Sequence, residues 1–279
     1  MLALVETNTD AESNWMPATY ETLKIETHEL GIMVVIMNRP QALNAMNTQM
    51  MTELRDVFQA FYVDPGQANC IILTGAGDRG FCSGADLKER DGMSEETWKR
   101  QHAIVEQFVR NLMICPIPVI AAVNGVAFGG GFEIALACDF IYMSESARLA
   151  LPEVTRGIMP GAAGPQNLPR ACGVRRAKEI VLTGLPVSAA EALQWNIANR
   201  VCAPDKLMEE ALQTARTIAS NAPIGVRQAK KSLDKATELD RHSGYAFELE
   251  AYGAVINTQD RLEGVRAFNE KRKPVFKGR

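Results

Sequence analysis

The chain has 279 residues, of which 47% are hydrophobic and 23% are charged, a composition typical of a globular protein with one large domain or two small ones. Its 30 basic and 33 acidic side chains give a net charge of −3, which excludes an overall attraction for nucleic acid or an anionic membrane. The six cysteines are scattered without CxxC spacing and the three histidines lie far apart, so we predict reduced thiols and no metal site.

The N-terminal segment is not predicted to be a signal peptide. It is acidic and polar, and it lacks both a basic leader and an apolar core. The chain contains no apolar run of the roughly 20 residues that a membrane-spanning helix needs. We therefore predict a flexible tail over residues 1–19, no membrane partner and a cytoplasmic location.

From Tyr20 onward, predicted strands alternate with predicted helices. β-branched residues around Gly31 predict a β-hairpin over residues 22–38, and apolar residues at helical spacing predict a helix over 46–64. Buried strands are predicted over residues 69–75, 118–125 and 140–144.

Two further helices carry recognisable start signals. Ser94, with two glutamates directly after it, is predicted to be the N-cap of an amphipathic helix that ends before Pro116. Ser188 and Glu191 have the spacing of a capping box.

After about Pro204 the strand patterns stop. Residues 205–279 are charged and helical, and their periodic apolar residues need a surface to pack against. We predict an α/β core over 20–204 and an all-helical region over 205–279, which covers another subunit of an oligomer.

A glycine pattern between Gly75 and Gly80 matches the GxGxxG fingerprint of dinucleotide-binding proteins. That fingerprint requires a long helix that begins within the glycines, whereas the next predicted helix begins only near Ser94. We interpret the pattern as a tight turn and predict no nicotinamide or flavin cofactor.

Two glutamates, Glu133 and Glu153, each lie beside a glycine-rich run. A helix that begins at a triple glycine leaves backbone N–H groups without partners, and such donors suit a developing negative charge. One acid and one base in a site are what proton transfer on a carbon framework requires. The residues themselves therefore indicate proton transfer next to a carbonyl.

Several spaced motifs occur in the order found in one known family. They are the runs over 37–47, 71–89, 118–139, 151–164 and 268–276, which begin MNRPQ, IILTG, PVIAA, LPEVT and FNEKR. In these runs the chain resembles the enoyl-CoA hydratase (crotonase) family from about residue 20 to its end. The resemblance implies a spiral of ββα repeats, a helical C-terminal trimerisation region in a homotrimer or dimer of trimers, and acyl thioesters of coenzyme A as substrates.

By motif position, the resemblance implies that the N–H groups of Ala85 and Gly130 form an oxyanion hole for the thioester oxygen. It further implies that Glu133 and Glu153 are the two catalytic carboxylates of a hydratase. We assign Glu133 as the base toward water and Glu153 as the acid that protonates the α carbon, although coupled titration could blur this division.

Coenzyme A binding is expected, again from the resemblance, at positions that wrap the pantetheine and adenine. The positions that match are Ala42, Leu43, Ala85, Asp86 and Leu87. Phe268 and Lys271 match C-terminal positions that reach the ligand of a neighbouring subunit, where Lys271 would meet a phosphate. Asp86 could equally be a helix N-cap, and the basic C-terminal run could be a solvated surface.

The loop that contains Gly161 departs from the family pattern. This loop helps to hold the water and shape the acyl pocket, but the chain has Ala163 and Pro165 where relatives commonly have PGAGGTQ. This departure bears on which acyl group is preferred more than on the type of reaction.

We predict an enoyl-CoA hydratase that needs no metal and no cofactor beyond the coenzyme A of its substrate, in fatty acid metabolism. An isomerase that moves the double bond, or another enolate-forming enzyme of the family, is the enzymatic alternative. RNA binding is an alternative of another class, but the lysines of residues 231–241 alternate with acids and lack an aromatic for base stacking. We predict no nucleic-acid partner.

Overall fold

A computed structural model describes residues 19–279. The predicted tail over 1–19 therefore lies almost wholly outside the described residues. The strands are β1 Leu23–His28, β2 Ile32–Met37, β3 Cys70–Gly75, β4 Gly80–Cys82, β5 Val119–Val123, β6 Val126–Phe128, β7 Phe140–Ser144, β8 Arg148–Ala150, β9 Val187–Ser188 and β10 Arg200–Cys202. The helices are α1 Thr48–Val63, α2 Leu87–Arg90, α3 Glu95–Met113, α4 Gly130–Ala137, α5 Gly164–Cys172, α6 Val174–Thr183, α7 Ala189–Gln194, α8 Leu207–Ala219, α9 Pro223–Lys235, α10 Arg241–Ile256 and α11 Gln259–Asn269.

From β3 to β8 the strands alternate between two sheets. A six-stranded sheet has the order β1-β2-β3-β5-β7-β10, and a four-stranded sheet has the order β4-β6-β8-β9. The chain thus contributes one strand to the large sheet, one to the small sheet and then a helical segment, and it repeats this path with β3 and β4, β5 and β6, and β7 and β8. The prediction of an α/β spiral of ββα turns is confirmed.

The large sheet is covered on both faces, which explains why its strands have continuous apolar sequences. Along β2, Val35 and Met37 belong to the main core beside α1 and α4, whereas Ile32 and Val34 belong to a second core under α8. Successive side chains of a strand point to opposite faces, so both sets are buried only if helices lie on both sides.

Local sequence signals produced the expected elements. Residues 22–38 form the antiparallel hairpin of β1 and β2, with Leu23 opposite Met37. Ser94 caps α3 by accepting a hydrogen bond from the Thr97 N–H at 3.2 Å. The Ser188 and Glu191 capping box is formed in full. These predictions are confirmed.

The GxGxxG segment forms a turn between two strands. β3 ends at Gly75 and β4 begins at Gly80, with no helix starting between them. A methyl group at Gly75 would lie 2.3 Å from the Gly80 carbonyl oxygen, so the glycine is required by close packing within the turn. The interpretation as a tight turn is confirmed.

The C-terminal part of the described chain is helical after β10. α9 and α10 pack against each other, and their outer faces carry large exposed apolar side chains, as α11 does: Leu233, Tyr245, Leu249, Tyr252, Ile256, Leu262, Val265 and Phe268. The division into domains and the subunit contact stay predictions. Within residues 19–279, no helix is long and apolar enough to cross a membrane.

We predict that Gly131→Ala strongly destabilises the protein, because α4 packs against β4 at this glycine. A methyl group there would lie 2.0 Å from the Cys82 carbonyl oxygen. We expect the free energy of unfolding, measured by urea denaturation, to fall by about 3 kcal/mol or more. Gly225→Ala in α9 is the control, because its added methyl would meet only the Ala222 side chain at 3.8 Å. Equal stability of the two variants would contradict the packing argument.

Candidate active site

A cavity of about 240 Å³ lies where the turns of the spiral meet α3 and the loop before α5. Six of the residues predicted from sequence line it: Ala85, Leu87, Gly130, Glu133, Glu153 and Gly161. These residues come from four separate segments of the chain, so the fold brings them together over long sequence distances. Ala42, Leu43, Asp86, Phe268 and Lys271 do not line it.

The Ala85 N–H is available to a ligand because of an isolated parallel bridge to Met46. The Met46 N–H donates to the Gly84 carbonyl at 2.8 Å, and the Asp86 N–H donates to the Met46 carbonyl at 2.9 Å. Both bonds flank Ala85, so its own N–H points away from the bridge. It has no acceptor among residues 19–279.

The second donor is the N–H of Gly130 at the start of α4. Gly129 precedes the helix with a φ of 53°, and the Gly130 N–H has no acceptor in the described chain because it belongs to the first helical turn. A methyl group at Gly84 would lie 3.4 Å from the Gly130 nitrogen, so the two donor segments are neighbours. Two free N–H groups beside a helix N-terminus can stabilise an oxyanion.

Glu133 is buried one helical turn further along α4. The residue is only 2% exposed. Its Oε1 accepts hydrogen bonds from the N–H groups of Ala162 and Gly164, each at 2.8 Å. Burial raises the pKa of Glu133, and these backbone hydrogen bonds oppose that rise. The carboxylate is therefore held in one orientation by the loop before α5.

Glu153 lies in a short 3-10 helix, Pro152–Arg156, and lines the same cavity. A methyl group at Gly129 would lie 2.9 Å from Glu153 Oε1, which puts this carboxyl group beside the start of α4 and its free N–H group. Its Oε2 is buried without a hydrogen-bond partner among the described residues. Burial, with a smaller contribution from the charge of Glu133, raises the pKa of Glu153 to about 7.

The predicted coenzyme A residues near the cavity have structural partners of their own. Asp86 caps α2 through the Lys88 N–H at 3.1 Å and pairs with Arg39 Nη1 at 2.9 Å, so the N-cap alternative is realised. The carbonyls of Ala42 and Leu43 accept hydrogen bonds from Ser83, next to Gly84. A role for these residues in coenzyme A binding stays a prediction.

The C-terminal candidates lie apart from the cavity of their own chain. Phe268 is 84% exposed near the end of α11, and Lys271 has a left-handed backbone with a φ of 52° just after that helix. The prediction that both reach a neighbouring subunit is not tested by a single chain.

Side chains of α2 and α3 form one wall of the cavity, and the sequence did not tell which of them face it. Trp98, His102 and Val105 line it from α3, and Arg90 lines it from the end of α2. The α3 residues follow one another at helical spacing, which is the signal that could have found them. That spacing does not tell which helical face meets the site.

No three His, Cys, Asp or Glu side chains of the described residues converge in a way that would hold a metal ion. All six cysteines are free thiols. Burial raises the pKa of Cys70 to about 12 and that of Cys115 to about 11, so these thiols remain protonated and unreactive at neutral pH.

Comparison with known proteins identifies the family of the chain. The family model described as enoyl-CoA hydratase/isomerase matches residues 27–279. The chain belongs to the enoyl-CoA hydratase/isomerase family. The similarity therefore covers both the α/β core and the C-terminal helices.

Individual relatives agree with the family model. A crystal structure of an enoyl-CoA hydratase from Bacillus anthracis superposes with a TM-score of 0.91 at 41% identity, over 93% of this chain and 100% of that chain. An enoyl-CoA hydratase from Pongo abelii mitochondria is 42% identical over 88% of this chain and 83% of its own length. A short-chain-enoyl-CoA hydratase from Clostridium acetobutylicum is 39% identical over 87% of this chain and 92% of its own length.

The loop that departs from the family pattern still holds Glu133. Ala163 adopts a left-handed backbone with a φ of 71°, which costs roughly 1–2 kcal/mol for a residue with a side chain. Pro165 lies in the first turn of α5, where a proline is tolerated because its missing N–H would have no partner. The flanking N–H groups of Ala162 and Gly164 remain directed at the carboxylate.

We predict that Glu133→Gln lowers the pKa of Glu153. The glutamine oxygen can still accept the two backbone hydrogen bonds, while the negative charge that helps to raise the Glu153 pKa is removed. We expect a value below about 7 but above that of an ordinary glutamate, because burial remains. Carboxyl carbon NMR would measure it, with the exposed Glu145→Gln as control. An unchanged or higher pKa would contradict the coupling.

Proposed function

We propose that the protein is an enoyl-CoA hydratase, which reversibly adds water to a 2-enoyl-CoA and yields a 3-hydroxyacyl-CoA. The observation that carries the proposal is that two carboxyl groups with raised pKa values line one cavity with two unpaired backbone N–H groups. Hydration needs all four groups: a base, an acid and two donors for an enolate oxygen.

In the proposed mechanism the thioester oxygen binds between the N–H groups of Ala85 and Gly130. The ionised Glu133 takes a proton from water as the water oxygen bonds to the β carbon, and the electron pair of the double bond moves toward the thioester as an enolate. Glu153 then gives its proton to the α carbon. A water has been added, and the proton has moved from Glu153 to Glu133, so the carboxyls must exchange it before the next turnover.

The raised pKa of Glu153 supports its role as the acid. An ordinary glutamate is almost fully ionised at neutral pH, whereas a pKa of about 7 keeps about half of the Glu153 side chains protonated. The two hydrogen bonds to Glu133 Oε1 stabilise the ionised form of the other carboxyl. The environments thus favour opposite protonation states at the start of hydration.

The reaction moves only protons and water, so we propose that it needs no cofactor beyond the coenzyme A of the substrate. We further propose a homotrimer or a dimer of trimers in the cytoplasm. The exposed apolar side chains on α9, α10 and α11 support an assembly, because they would be buried by a second subunit.

We predict that Glu133→Gln and Glu153→Gln each lower kcat for hydration of crotonyl-CoA by at least about 100-fold. Each substitution removes one proton carrier and keeps the size of the side chain. Loss of enoyl absorbance measures the rate, and the exposed Glu145→Gln is the control. Near-normal rates in both variants would rule out the assignment.

The same assay separates hydratase from isomerase. Moving a double bond needs a single proton shuttle and no water, so one of the two glutamates would be dispensable. If the protein isomerises a 3-enoyl-CoA but does not hydrate crotonyl-CoA, it is an isomerase and the proposal is wrong.

We predict a bell-shaped pH dependence of kcat/KM for hydration. Activity should fall as the pH rises above about 7, because Glu153 loses its proton. It should also fall as the pH drops through the pKa of Glu133, because the base becomes protonated. Dehydration also requires one proton on the pair of glutamates, but on Glu133 instead of Glu153. Its rate should therefore fall at both low and high pH, as for hydration. A flat profile between pH 5 and 9 would contradict the assignment.

A further inference from the structure

The strongest feature that the proposed chemistry does not use is a cation on the cavity wall. Arg90, the last residue of α2, lines the same cavity as the two glutamates. Its Nε donates to Gln101 Oε1 at 2.7 Å, and its guanidinium carbon lies 4.4 Å from the centre of the Trp98 ring. One edge and one face of the guanidinium are thus held by α3.

The anchor of Arg90 is itself rigid. Gln101 is 2% exposed, and its Nε2 donates to Thr48 Oγ1 at 2.8 Å and to Glu89 Oε2 at 2.9 Å. These two bonds fix the amide so that its oxygen faces Arg90. Glu89 Oε2 also accepts from the Thr48 N–H at 2.8 Å, so this carboxylate is already occupied by two donors.

The charge of Arg90 has no counter-ion within the described chain. No carboxylate of residues 19–279 lies within 4.0 Å of its nitrogens, and its Nη1 and Nη2 make no hydrogen bond there. Arg39, by contrast, has Asp86 at 2.9 Å. Burial lowers the pKa of Arg90, partly offset by the nearby Glu89, yet an arginine stays protonated at neutral pH. A partly buried, unpaired cation is costly unless an anion joins it.

The rest of the cavity lining suits a short acyl chain with an anionic end. Trp98, Val105 and Met159 provide apolar contact, while Arg156 and His102 add further basic groups. The only carboxyl groups that line the cavity from the described residues are Glu133 and Glu153. The volume of about 240 Å³ is below the roughly 300–1,000 Å³ of pockets for drug-sized ligands.

We infer that Arg90 selects acyl groups that end in a carboxylate, so the preferred substrate is a short-chain 2-enedioyl thioester of coenzyme A. The inference rests on the proposed function for the reaction but adds the chemical class of the acyl group. The two free guanidinium nitrogens would hold the carboxylate as a bidentate pair at the end of the pocket, away from the reacting double bond.

The test compares glutaconyl-CoA, which ends in a carboxylate, with crotonyl-CoA, which does not. For the wild type we expect a higher kcat/KM on glutaconyl-CoA. Arg90→Met should reduce the ratio of the two kcat/KM values by at least about 30-fold, the scale of a charge-assisted hydrogen bond. Arg90→Lys keeps the charge but not the planar guanidinium group, so its ratio should lie between those of the wild type and Arg90→Met. The control Arg100→Met, on the exposed face of α3, should keep the wild-type ratio.

A second measurement does not depend on turnover. Calorimetry of the wild type should show tighter binding of glutaryl-CoA than of valeryl-CoA, and Arg90→Met should remove that preference. If crotonyl-CoA is hydrated but neither assay shows a preference for the carboxylate, the inference is overturned and the proposed function stands. Equal losses on both substrates would also overturn it, because Arg90 would then serve the coenzyme A phosphates or the fold. Binding preference without any hydration would instead overturn the proposed reaction.

Discussion

The site depends on the hydrogen bonds that join the Glu133 carboxylate to the N–H groups of Ala162 and Gly164. A buried carboxylate without partners would destabilise the fold or become neutral. These bonds let Glu133 remain an acceptor inside the protein, and they attach the loop before α5 to the helix that begins with Gly130, one of the proposed oxyanion donors. The two bonds therefore help to set the relative positions of the proposed base, the proposed donor and the loop that lines the cavity.

The two glutamates have different surroundings, and this difference supports their proposed roles as base and acid. Glu133 is more deeply buried but has two backbone donors, which favour the ionised carboxylate. Glu153 has a buried oxygen without a partner and a pKa raised to about 7, which favours the protonated acid. The charge of Glu133 helps to raise the pKa of Glu153, so in the proposed starting state the proton of the pair is on Glu153.

The proposed catalytic groups and the cavity wall that contains Arg90 come from different parts of the fold. Backbone donors and carboxyls are supplied by turns of the ββα spiral, where tight glycine packing, as at Gly131 against Cys82, fixes their positions. The wall beside Arg90 is supplied by side chains of α2 and α3. The proposed reaction and the proposed preference for one acyl group therefore depend on different segments of the chain, and Arg90 belongs to the second.

The sequence alone determined the features that depend on neighbouring residues. The hairpin over 22–38, the Ser94 cap and the Ser188 capping box follow from local turn and capping chemistry, and the spaced motifs identified the family. Only the tertiary structure decided that a bridge from Met46 leaves the Ala85 N–H free, that Ala162 and Gly164 hold Glu133, and that Arg90 turns into the cavity without a counter-ion. Such contacts join residues far apart in the chain, and their geometry comes from packing, which no local pattern encodes.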